Sequence, residues 1–93
     1  MAKIFGSVQV VEQPEATTLP NDAQLAWDKA MEGMVGADYK IISYVGSQIV
    51  TGINRIYLVQ QKLVLEKPVY HIATIVINEF NGEYQVTSIE RLY

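Results

Sequence analysis

Few side chains in this sequence are of a type that does chemistry. His71 is the only histidine, and cysteine is absent. A cysteine nucleophile, a thiolate metal site and a disulfide are therefore excluded. A metal site on one histidine would need carboxylates converging on it. Glu12, Glu15, Asp22, Asp28 and Glu32 are instead spread over a connector and the outer face of a helix, as solvated charges are. No glycine-rich phosphate loop is present. His71 shares strand parity with Ala73, Ile75 and Ile77, which is the place of a structural histidine at the end of an apolar face. The chain is expected to have no catalytic residue, no metal and no cofactor, and to be no enzyme.

Composition narrows the partners. The net charge is −3, and the basic residues are scattered singly. A nucleic-acid surface would need them clustered, so no nucleic-acid partner is expected. No apolar run reaches the roughly 18 residues of a membrane span, and no long apolar leader opens the chain. A cytoplasmic protein is the simplest expectation, although a secreted mature form with an added start Met would read the same way. With 49% hydrophobic and 18% charged residues the chain has the composition of a folded protein. Ninety-three residues suffice for one core, so residues 1–93 are expected to form a single domain.

The elements follow from pattern. Ile4 to Glu12 is β-branched and apolar and reads as a strand or extended arm; Pro14 and Pro20 make the next stretch a connector. The spacing predicts a helix over about Asp22 to Val35, capped by Asn21 or Asp22 and stopped by Gly36. Ala23, Trp27, Ala30, Met31 and Met34 share one side of it, with Gln24, Asp28 and Glu32 on another, so Trp27 is expected to be buried against the concave face of a sheet and to supply most of the helix's buried area. Beyond Gly36 the pattern is that of strands: Tyr39 to Val45, Ile53 to Leu65, Val69 to Phe80, and Glu83 to about Leu92. Asn81-Gly82 is a hairpin turn, since both central residues of a type I′ turn need positive φ. The expected fold class is α+β, one helix wrapped by an antiparallel sheet of four to five strands.

The stretch from Tyr39 to Leu65 is too long for one strand and must turn near Gly46 or Gly52. Two arrangements are open. Gly46-Ser47 alone makes the turn and Ile49 and Val50 are ordinary strand residues, or the tip lies between the glycines and lifts Ile49 and Val50 into water. Exposed apolar residues at a loop tip would mark a contact surface.

Gln48-Ile49-Val50-Thr51-Gly52 fits Q-x-V-x-G, the pattern of the first hairpin of the cystatins, and the chain resembles that family along most of its length. Without cysteine it looks more like stefins or plant cystatins than the disulfide-bonded secreted branch. The resemblance implies a reversible inhibitor of papain-like cysteine proteases. Three features would form a wedge that fills the enzyme's cleft: a trunk at Phe5-Gly6, the first hairpin Gln48, Ile49, Val50, Thr51 and Gly52, and a second hairpin at Phe80, Asn81 and Gly82. Gly52 would permit a tight turn and close approach to the enzyme, Ile49 and Val50 would give apolar contact, and Gln48 would stabilise the loop by hydrogen bonds. The second hairpin departs from the Pro-Trp pair of many cystatins; Phe80 either replaces the tryptophan or belongs to the core. A second function class stays open: a cystatin-like interaction or scaffold module without inhibitory activity. The expected state is a monomer. Opening of the first hairpin would merge its two strands and allow a domain-swapped dimer, as the resemblance also implies.

Overall fold

The computed structural model describes residues 8–10 and 19–93. Its elements are β1 (Val8–Val10), α1 (Asn21–Ala30), β2 (Ala37–Val50), β3 (Gly52–Leu63), β4 (Val69–Phe80) and β5 (Glu83–Arg91). The strands form one antiparallel sheet in the order β1-β2-β3-β4-β5, so every neighbour in the sheet is a neighbour in sequence. The fold is α+β, with one helix among the described residues.

The helix is shorter than its pattern predicts. Pro20 stands at the N-cap without a side-chain cap, and its carbonyl accepts from the Gln24 N–H at 3.0 Å. Asn21 and Asp22 lie inside the first turn instead of capping it. A carboxylate there still suits the positive end of the helix, and Asp22 accepts from the Ala23 N–H at 2.9 Å. At the other end the Met31 N–H reaches the Trp27 carbonyl at 2.9 Å, and Gly33 then takes φ +79°. A residue in that left-handed region ends a helix, and Gly33 meets the condition before Gly36 does. The helix therefore stops at Ala30 rather than Val35, and Met34, expected on the packed stripe, is exposed.

Packing sits on one face of the sheet. Arg55, Tyr57 and Val59 of β3 face Ile77, Ile75 and Ala73 of β4 across the ladder, and all six are buried. Ala23 and Ala26 complete the core from α1. Two alanines let the helix backbone come close to the sheet. Ala26, outside the predicted stripe, is fully buried, whereas Trp27 is half-buried and flanks the core. Its ring lies 5.1 Å from that of Tyr57, and Tyr44 stacks on Tyr57 from β2 at 5.2 Å; both pairs are tilted, as ring quadrupoles favour.

β2 runs on past the predicted end at Val45. Gly46 is no turn: it is buried in the ladder between Val10 of β1 and Ile56 of β3. Pairing on both sides holds the chain extended there. The register of β2 on β3 shifts between Ile41 and Ser43 and again between Tyr44 and Gly46. Each extra residue changes which parity faces the core, so Tyr39, Ile41 and Tyr44 all pack inward despite their spacing. Among the described residues no helix is long and apolar enough to cross a membrane.

Candidate functional site

The first hairpin turns at its tip. Ile49 pairs with Ile53 and Val50 with Gly52, leaving Thr51 at the apex. Gly52 takes φ +89°, which an L side chain rarely adopts. Its lack of a side chain has a second reason. A Cβ at this position would overlap the Glu79 carbonyl oxygen and come within 3.1 Å of the Phe80 Cβ. Gly52 is thus the point where the first hairpin presses against the end of β4, and the close approach seen is to the chain's own backbone.

The second hairpin has the predicted turn. Phe80 pairs with Glu83, and Asn81 and Gly82 take φ +53° and +78°. Because Gly52 adjoins Phe80, both tips lie at one end of the sheet. That end exposes three large apolar side chains: Ile49 at 74%, Val50 at 43% and Phe80 at 47%. Ile49 and Val50 are the last two residues of β2 and are also solvent-facing, so the two sequence alternatives merge. Phe80 lies on the edge and not in the core. Phe5 and Gly6 lie outside the described residues. β1 enters beside this end, with Val8 opposite Gln48.

Polar groups behind the edge fix it in place. The Asn78 Nδ2 donates to the Thr51 carbonyl at 3.1 Å and to the Asn54 Oδ1 at 2.9 Å. This bond to the first loop comes from a strand of the second hairpin; Gln48, expected to brace the loop, faces Asn54 in the ladder. On the other face Arg55 is only 4% exposed and donates to Glu79 and, at 3.2 Å, to Asp22 at the start of α1. Burial opposes its charge, but hydrogen bonds to Glu79 and Asp22 outweigh that and raise its pKa further. Asp22, expected to be merely solvated, is one arm of this cluster. The Tyr84 hydroxyl donates to the other Glu79 oxygen at 3.4 Å. Burial pushes the Tyr44 and Tyr57 hydroxyls above their ordinary value, against the pull of the nearby Arg55 charge.

His71 stands at the opposite end of β4. Its Nδ1 is 3.1 Å from the Tyr93 carbonyl and its Nε2 is 3.2 Å from an Arg91 nitrogen, so it ties the end of the chain to the sheet. Among the described residues no three His, Asp or Glu side chains converge as a metal site would require. The residues missed from sequence are Asn54, Asn78 and Arg55. Their signal was present: Asn is depleted in strands, and a charged residue at core parity needs a partner.

Compared with protein-family models, with curated proteins and with solved structures, the chain has no match in any of the three.

Proposed function

We propose that the chain is a cystatin-like reversible inhibitor of papain-like cysteine proteases, binding as a wedge through the edge formed by the two hairpins. The observation that carries the reading is the apolar edge of Ile49, Val50 and Phe80 at the end where the Q-x-V-x-G stretch Gln48–Gly52 turns. Three exposed apolar side chains on ordered strands are costly to leave in water and suit insertion into an apolar cleft. The order strand, helix, then four antiparallel strands agrees with the arrangement that the cystatin resemblance implies. In this mechanism the inhibitor brings no reacting group. Ile49, Val50 and Phe80 displace water from the cleft. The left-handed Gly52 holds the loop in a closed turn, so no extended backbone crosses the cleft as a substrate would. Rigid strands behind the edge limit the conformational entropy lost on binding.

The test is titration of active papain with the folded monomer. Loss of activity that returns on dilution, with the inhibitor chain intact afterwards, is the expected result. Full papain activity at micromolar inhibitor would leave the edge as the contact surface of a non-inhibitory interaction module.

A further inference from the structure

Asn78 lies in no loop but inside a strand, where asparagine is uncommon. It stands in β4 opposite Asn54 of β3, in a row that also contains Gln48 of β2 and Gln85 of β5. Four carboxamides therefore cross four adjacent strands immediately behind the two tips. The hydrogen-bond chemistry of this row has one solution at Asn78. The Thr51 carbonyl can only accept, so the Asn78 atom facing it is the amide nitrogen. The same nitrogen reaches Asn54, so the Asn54 atom facing it is the amide oxygen. Both Nδ2 hydrogens are used, one for the apex of the first hairpin and one for β3.

We propose that Asn78 is a positioning residue that locks the first hairpin's tip to the second hairpin, so that Ile49, Val50 and Phe80 form one preorganised edge. Thr51 is at the apex, and its carbonyl would otherwise be held only by water. The ladder pairs Ile53 with Glu79 and Gly52 seats against the Glu79 backbone, but neither contact reaches Thr51 at the apex. Asn78 supplies the bond to the apex that the ladder lacks. A tip that spends part of its time detached binds more weakly in proportion to the fraction attached. The inference rests on the inhibitor reading for what the edge binds, but not for the lock itself.

The experiment uses Asn78→Asp, which keeps the shape and removes both donors. Amide hydrogen exchange is followed at Ile49 to Ile53 and, as a control, at Tyr57 and Ile75, and papain inhibition is measured on the same samples. The expected result is exchange about tenfold faster at the tip with the control amides unchanged, and inhibition about tenfold weaker, the size of the one bond lost at the Thr51 carbonyl. Unchanged exchange at the tip overturns the lock, whatever papain does. Faster exchange with unchanged inhibition overturns its role in binding. If the unaltered chain leaves papain active, the inhibitor reading falls, while the exchange result still decides the lock. Asn78→Ala, which removes both donors without adding a charge, replaces the Asp variant if that variant loses its cooperative melt.

Discussion

The Tyr57 hydroxyl donates to the Ala23 carbonyl across 2.7 Å, joining the central strand β3 to the first turn of α1. The bond is fully buried, and the ring that carries it fills the middle of the core. Tyr57→Phe keeps the ring and removes only the donor. The expected loss is about 1 kcal/mol, the usual net worth of one such bond. Urea denaturation checks it, with an unchanged slope showing that the unfolding transition is otherwise the same.

The same hydroxyl makes stability depend on pH at the alkaline end. Burial raises the pKa of Tyr57 and of Tyr44 above the ordinary value of 10.0. The folded state therefore keeps its phenolic protons when the unfolded state releases them. Stability from these groups is fully present below pH about 10 and is lost as pH rises above it towards the folded-state values. Thermal melts in buffers spanning that range should show the melting temperature falling above pH about 10. Tyr57→Phe should fall less steeply, since one of the two groups is gone.

Arg55 organises charge on the core side of the hairpin edge. Removing it leaves Glu79, which is 29% exposed, without its cation, while Asp22 returns to solvent with little loss. Breaking a fully buried pair costs about 3–5 kcal/mol, and the partial exposure of Glu79 puts Arg55→Met at about 2–3 kcal/mol. Adding Glu79→Gln should recover part of the loss, because the stranded charge goes too. A double-mutant cycle by chemical denaturation measures the coupling.

Gly52 has a structural duty that resemblance alone did not suggest. A valine there must adopt φ +89° and also displace the Glu79 carbonyl. Strain at such a backbone position costs roughly 1–3 kcal/mol, and forced overpacking costs a similar amount. Gly52→Val should lose about 2 kcal/mol or more and open the contact between the hairpins. Calorimetry and the chemical shifts of Phe80 and Asn81 would check both parts. Little loss of stability together with lost inhibition would return Gly52 to the role of close approach to the enzyme.

Local chemistry was the legible part of this fold. Asn81-Gly82 marked its turn because few residue pairs tolerate two positive φ values, and the strands β3 to β5 followed from β-branched runs bounded by Pro68 and Gly82. Competition between equivalent signals was not legible. Gly33 and Gly36 both take left-handed values, and sequence does not say which ends the helix. Gly46 and Gly52 both interrupt a β-prone run, and only the pairing of Gly46 with β1 on one side and β3 on the other decides that the first stays in the ladder. At the candidate site the exposed tip was one of the two arrangements that Ile49 and Val50 left open. The lock behind it could not, because the pairing of Asn54 with Asn78 depends on the register between two strands and on no local pattern.

The last prediction separates contact from stability at the edge itself. Ile49 is 74% exposed at the end of β2, so its side chain adds little to folding. Surface substitutions away from special features stay within about 0.5 kcal/mol, and Ile49→Asp should unfold at nearly the same denaturant concentration as the unaltered chain. In a complex the same carboxylate would be driven into an apolar cleft. Leaving a charge desolvated and unpaired there costs several kcal/mol, enough for inhibition of papain to weaken by at least about a hundredfold. Most of the change should appear as faster dissociation, because related interfaces differ mainly in how long they last. Ile49→Val, which keeps an apolar surface, should weaken inhibition by less than about tenfold, the loss expected for one methylene. The pair of variants is read by progress-curve kinetics alongside denaturation. If the Asp variant inhibits as well as the Val variant while both remain folded, Ile49 does not enter the cleft and the proposed edge is the wrong surface.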